Sequence, residues 1–464
     1  MLRKTAFFLI FIFIIQLFSV FSVGATERFN DLAAEAAILV ERDNGTVLFE
    51  QNARTPHPAD DLAKVMTLLL AAQAVESNED GFRRFNDHEL ITMTHNAWDG
   101  LSESAISNEL QPEDVLPFID LIYYAYVGNA AEACNMIALH IAGSVEAFVD
   151  MMNAKASEFG ARSTRFVNTH GQFNENQVTT AYDQYRIFDE AMKSALFSEV
   201  AGTFRHITES TEQSEPRTLT SSNFLLNPSS RLYYRHGISG RESATYEGGH
   251  SLVSYAEEDG LSLISVILGA RVTVHTDGTT ELHNFTETLR LFQWGYMNFS
   301  WRDILRTTDL LARVPIRHGS GADFVNARPE AALTLLLENS IPNEAFDREI
   351  TLIYDEEENP LIAPVTAGEI VGEVTVSRNG VVIGAVPLVA NTNISLNGFE
   401  YMRRQVSALL STTIARNIMI VLILLVALYV LLVIRYNIVR ANRLRRIKNA
   451  KNEIIRDRHQ NFRD

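Results

Sequence analysis

Seventeen consecutive apolar residues, Ile418 to Ile434 (IMIVLILLVALYVLLVI), constrain this chain more than any other stretch. In hydrocarbon no water pairs the backbone, so a lone segment of this kind satisfies its own N–H and C=O groups only as a helix. Seventeen residues sit at the short limit of the roughly 17–25 that cross a bilayer. The flanks argue against a buried core helix. Residues 435–464 carry ten Lys or Arg against three Asp or Glu, the bias that holds a segment on the cytoplasmic side. The run predicts a transmembrane helix at 418–434 and a basic cytoplasmic tail at 435–464.

The amino end matches that topology. The stretch MLRKTAFFLIFIFIIQLFSVFSVGATE has a basic start (Arg3, Lys4), a long apolar run and a small-residue exit at Val23-Gly24-Ala25. It reads as a signal peptide, 1–25, with an uncleaved anchor as the alternative. With −17 overall, +7 in the tail and +2 in the first 25 residues, the body between them carries −26. So acidic a body outside the membrane excludes polyanion binding, and nothing resembles a nucleic-acid footprint. The basic tail either lies against anionic lipid or merely orients the span. Cys134 is the single cysteine, in an apolar helical stretch, and reads as core. The twelve histidines form no H-E-x-x-H and no close cluster with ligand spacing, so neither a metal nor another cofactor is expected.

A chain of 464 residues exceeds one ordinary domain. AAILVERDNGTVLFEQN reads as two strands turning at Asp43-Asn44-Gly45. Helices follow: PADDLAKVMTLLLAAQ, DVLPFIDLIYYAYVGNAAEACNMIALHIAG, VEAFVDMMNAKASEFGA ending at Gly160, and VTTAYDQYRIFDEAMKSA behind a threonine cap. TRFVNTHG reads as a short strand entering a loop. RLYYRHGISG, GGHSLVSYAEEDG and LSLISVILGA read as antiparallel strands, to which the early hairpin returns. The result is one α/β (α+β) domain, an antiparallel sheet flanked by helices, over 26–300. Residues 301–400 form a small β-rich module with a turn at Asn379-Gly380. A juxtamembrane helix at 401–417 leads into the span.

The order of these segments resembles the D-alanyl-D-alanine carboxypeptidases, the low-molecular-mass penicillin-binding proteins of serine peptidase family S11. The likeness rests on AAILVERDNGTVLFEQNA, KVMTLLLA, GNAAEACNMIALHIAGS, MNAKASEFGARSTRFVNTHG and LISVILGA, with APVTAGEIVGEVTV and GVVIGAVPLVA for the family's C-terminal β domain. It implies a serine β-lactamase/penicillin-binding-protein-like fold. It also implies three catalytic elements: Ser-x-x-Lys opening a helix, Ser-x-Asn on a loop, and Lys-Thr-Gly on an edge strand.

Each element is altered here. Asp61 stands at the nucleophile's position, three residues before the retained Lys64, and no serine lies between Thr55 and Thr67. Val127 stands at the relay serine's position, with Asn129 retained. Anchored on its glycine, the third element reads Ile238-Ser239-Gly240, without its lysine; His236 is the neighbouring cation in register to face a substrate carboxylate. A carboxylate attacks an amide poorly, because the adduct expels the carboxylate, the better leaving group, before the amine and so reverts. The pattern implies a pseudoenzyme in which Asp61 has become the counter-ion of Lys64. Such a protein would bind peptidoglycan stem peptides or cell-wall and division proteins. The rival is an active carboxypeptidase with a displaced nucleophile, Ser102, Ser104 or Ser239.

Overall fold

The computed structural model describes residues 32–76, 85–107, 109–211, 215–357, 359–411 and 413–460. The expected signal segment lies outside them. The described residues fall into two compact units. One runs to Arg302 and takes back Leu335–Pro342; the other holds Asp303–Thr334 and everything from Asn343 onward.

The first unit is built on a five-stranded sheet. Strands β1 (Ala36–Glu41) and β2 (Thr46–Gln51) form the early hairpin. The chain then makes a 3-10 turn at Asp60–Leu62 and enters helix α1 (Ala63–Val75). Helices α2 (Phe118–Tyr126), α3 (Ala131–Ala142), α4 (Val145–Glu158) and α5 (Ala181–Ala191) follow. Strands β3 (Gly237–Thr245), β4 (Gly249–Glu258) and β5 (Leu261–Ala270) precede helix α6 (His283–Asn298). The sheet order is β2-β1-β5-β4-β3, antiparallel throughout, so the early hairpin closes onto β5 and leaves β3 at an edge.

Alternation along β1 explains the layering. Ile38 and Val40 face the core made with α1, α3 and α5, whereas Ala37 and Leu39 face Leu291, Phe292 and Trp294 of α6. Both faces are covered, which is why β1 reads as an unbroken apolar run. Helix α1 is buried everywhere except Gln73, as a helix that is apolar all round must be. It therefore carries Lys64 into the interior, where the residue is 3% exposed. Helices α4 and α5 start on side-chain caps, Ser144 accepting from Ala147 N–H at 3.1 Å and Thr180 accepting from Asp183 N–H at 3.0 Å.

Two expected strands differ from the observed chain. Arg231–His236 is a series of turns, and the strand begins only at Gly237 and runs on to Thr245. The apolar and β-prone Leu232-Tyr233-Tyr234 imitates a strand, but Tyr234 N–H bonds to Leu225 O, outside the segment. TRFVNTHG has a single bridge, Arg165 to Val178. The Gln177 Oε1 atom takes the N–H groups of both Val167 and Asn168, which a neighbouring strand would otherwise have taken.

The second unit contains β6 (Ala312–Arg317), β7 (Phe324–Pro329), β8 (Asp347–Leu352), β9 (Leu361–Ile362), β10 (Ile370–Arg378) and β11 (Val381–Ala390). They form one sheet in the order β8-β10-β11-β7-β6-β9. The β10–β11 turn places Asn379 and Gly380 at φ 50° and 79°, the conformation that an Asn-Gly pair adopts most readily. Helix α7 (Gly398–Ser411) precedes α8 (Thr413–Gln460), which contains the apolar run. Asn417–Asn449 is long and apolar enough to cross a membrane, and none of its apolar window is buried. The helix does not stop at Ile434: with neither Gly nor Pro to break it, it continues through the basic segment.

Candidate functional site

The turn before α1, the loop after α2, the loop ending at Gly171 and the edge strand β3 meet around Lys64. The Lys64 ammonium donates to Asp61 Oδ1 and to the backbone carbonyl of His170. That carbonyl is aimed by a small network. Asn168 Oδ1 accepts from Gly171 N–H at 2.8 Å, and Thr169 donates to Asn135 at 2.7 Å while its own carbonyl accepts from Thr67 at 2.6 Å. Gly171 has φ 84°, and a Cβ there would stand 2.4 Å from Asp60 O, so this approach requires glycine. The His170 ring is a by-product of this placement. Burial, reinforced by the nearby Lys64 charge, pulls its pKa down to about 4, so it is neutral at physiological pH.

Asp61 faces two cations. Its Oδ1 lies 3.8 Å from Arg241 Nη2 in addition to the Lys64 contact. Burial works to raise this carboxyl, but the Lys64 and Arg241 charges, with hydrogen bonds from Lys64 and Asn129, outweigh it and hold the group below the ordinary aspartate range. Asp60 behaves in the opposite way. It is 4% exposed with φ 42°, Thr245 donates to its Oδ2 at 2.5 Å, and its Oδ1 has no partner among the described residues. Burial raises its pKa, a Thr245 hydrogen bond opposes this, and the Asp61 charge adds to it.

Arg241 binds the other elements together. Its Nη1 donates to Tyr126 O at 2.6 Å, its Nη2 donates to Asn129 Oδ1, and its guanidinium lies 5.2 Å from the centre of the Tyr126 ring. Asn129 is held at φ 58°, directly after Gly128, where a Cβ would stand 2.9 Å from Tyr124 O. On the strand, Ser243 is two residues further along the same face, and its Oγ accepts from Asp61 N–H at 3.2 Å.

Of the residues singled out in the sequence, the structure brings together Asp61, Lys64 and Asn129. Val127 is 2% exposed and packs in the main core, offering no polar atom. The strand's contribution differs from the expected one. Ile238 is 38% exposed, Ser239 is fully buried with its hydroxyl against Met192 Sδ at 3.0 Å, and Gly240 receives Tyr126 O–H on its carbonyl at 3.3 Å. His236 precedes the strand and faces Arg235 and Glu258, at 2.7 Å and 3.4 Å. Arg241 and Ser243 are the strand residues that reach Asp61. The anchoring on the glycine points to Ile238-Ser239-Gly240, and none of these three side chains reaches the Asp61–Lys64 pair, whereas Arg241 and Ser243 do. The residues that do reach the 3-10 turn, Arg241, Ser243 and Thr245, are two apart and so share one face of the strand.

The chemistry open to this cluster is narrow. The lysine Nζ is engaged by a carboxylate and a carbonyl, and the carboxylate is held ionised. Among the described residues no group of three or more His, Cys, Asp or Glu side chains has the placement to hold a metal ion.

Comparison with known proteins agrees with the architecture. Residues 22–272 match the family model described as D-alanyl-D-alanine carboxypeptidase, and residues 341–395 match that of the penicillin-binding protein 5 C-terminal domain. The D-alanyl-D-alanine carboxypeptidase DacF of Bacillus subtilis is 23% identical over 82% of this chain and 91% of its own. DacC of Escherichia coli is 26% identical over 82% and 88%. Among solved structures, penicillin binding protein 6B of Escherichia coli superposes with a TM-score of 0.57 at 20% identity, covering 80% of this chain and 99% of that one. PBP3 of Streptococcus pneumoniae, described as a peptidoglycan synthesis regulatory factor, gives 0.55 at 24% identity over 79% and 100%. The chain belongs to the D-alanyl-D-alanine carboxypeptidase family, with Asp61 where the resemblance expects the nucleophilic serine.

Proposed function

We propose that this chain is a membrane-anchored, extracytoplasmic family member that has lost acyl transfer and acts in cell-wall biology by binding. Its targets are peptidoglycan stem peptides or wall-synthesis partners. The observation that carries this reading is the Asp61–Lys64 pair. A lysine serves as general base only with a free lone pair near a hydroxyl, and here its hydrogen bonds go to a carboxylate and to the His170 carbonyl. The candidate displaced nucleophiles lend no support to an active enzyme. The Ser102 and Ser104 hydroxyls pair with each other at 3.0 Å, and Ser239 turns to Met192. Arg241 fills the role that the resemblance gives to the lysine of Lys-Thr-Gly, a cation on the edge strand, but it is engaged by Tyr126, Asn129 and Asp61.

The anchor is the segment 418–434, with the acidic body outside and residues 435–464 inside. An exposed apolar stretch that runs on within one helix into a basic one supports that arrangement.

The test is acylation. Full-length protein in detergent, incubated with a fluorescent penicillin and run on a denaturing gel, will show no covalent band. A stable band that disappears with Lys64→Ala or Ser243→Ala overturns the reading. Asp61→Ser alone will stay nearly inactive, because Val127 supplies no relay. Calorimetry with a peptide ending in D-Ala-D-Ala then separates a stem-peptide reader, which releases heat, from a protein scaffold, which does not.

A further inference from the structure

A second concave site opens in the first unit, at the far end of the same edge strand. Its cavity of about 800 Å³ lies between the turn that precedes β3, the Glu258 corner of the β4–β5 hairpin, the last turns of α6 and the residues just after it. The walls are of two kinds. Tyr233, Tyr296 and Trp301 present aromatic surface, and Tyr233 is 45% exposed. Arg235, Glu258 and Gln293 present planar polar groups. The Tyr296 hydroxyl is buried and has no hydrogen-bond partner among the described residues. Burial, the neighbouring Tyr234 and the Glu258 charge all raise its pKa, so it remains a donor in need of an acceptor.

We propose that this cavity binds a pyranose ring of a glycan, and, resting on the wall-binding reading above, that the glycan is the strand of the wall polymer. A sugar ring presents C–H faces to aromatic surface and a rim of hydroxyls that both donate and accept. That is the mixture these walls require. An apolar ligand would cover the Gln293 amide, which lines the wall, and offer it no partner. An anion would meet Glu258 and Asp259, while the one guanidinium is bonded to His236 at 2.7 Å. A small organic cation suits aromatic rings beside a carboxylate, but Arg235 in the same wall opposes it. The spacing to the first site is also suitable. Strand β3 starts beside the cavity at Gly237 and reaches Arg241 four residues on, about 13 Å at the usual strand rise. An extended peptide of roughly four residues spans that distance, so a glycan and its attached peptide would engage the two ends of one strand.

The full chain, in a detergent without sugar head groups, is titrated with a tetramer of β-1,4-linked N-acetylglucosamine by calorimetry and by tryptophan fluorescence. Binding in or below the millimolar range is expected, weakened about fivefold or more by Tyr233→Ala and by Gln293→Ala at unchanged melting temperature. The proposal falls if the tetramer does not bind, if both variants bind like the wild type, or if tetramethylammonium displaces the sugar. Co-sedimentation with purified cell-wall sacculi separates the two levels of the argument. Equal retention of the wild type and the double variant removes the cavity and leaves wall binding intact. Retention of neither removes the wall reading itself.

Discussion

Lys64 is a cation 3% exposed on a helix with no other charge, and the residue three positions before it decides whether that burial is tolerable. With Asp61 the charge is answered locally; the i, i+3 spacing places the two groups on one side of the helix entry. Removing one partner of a buried pair leaves the other uncompensated, at a cost of roughly 3 kcal/mol. Asp61→Asn should therefore lower the melting temperature by several degrees. The double replacement Asp61→Ala with Lys64→Met, which removes both charges, should recover most of the loss. Thermal unfolding of the full chain followed by tryptophan fluorescence measures both. If Asp61→Asn melts like the wild type, the pair is not structural. This pair was readable in the sequence because its two members stand three positions apart across one helix entry. Arg241 was not, because its partners Asn129 and Tyr126 stand more than a hundred positions away and leave no local pattern.

At the scale of elements, the cluster depends on how closely separate segments approach. Gly171 marks the tightest approach: its loop runs against the Asp60 carbonyl so that the next carbonyl back reaches Lys64. Gly171→Ala forces both a positive-φ alanine, costing about 1–3 kcal/mol, and a clash with backbone that cannot swing aside. Gly143→Ala is the control, since it has nearly the same φ and nothing within 4 Å. Differential melting should show Gly171→Ala as clearly the less stable; equal losses would mean that the loop relaxes without consequence. The sheet and helices were largely legible, since period-2 and helical patterning mark them directly and the Asn-Gly turns fix their hairpins. Arg231–His236 was misread because its aromatic residues carry strand preference, while the hydrogen bonds that hold it as turns come from outside the segment.

For the whole molecule, the acidic body and the basic end of α8 predict opposite sides of a membrane. The protein should stay with membranes in alkaline carbonate and leave them only in detergent. Cys134 is buried, which makes the chain suitable for cysteine mapping. A cysteine at Ser320 should react with an impermeant maleimide on intact cells, and one at Asn449 only after permeabilisation; the reverse pattern would invert the topology. The pairing of Asp61 with Lys64 also bears on how such a protein would be noticed at all. A fluorescent penicillin, as in the acylation test above, reveals a serine enzyme by the covalent mark it leaves on the nucleophile. On the function proposed above, a chain whose nucleophile position holds a carboxylate bound to its own lysine would take no such mark, and a census by that mark would pass over it however abundant it was.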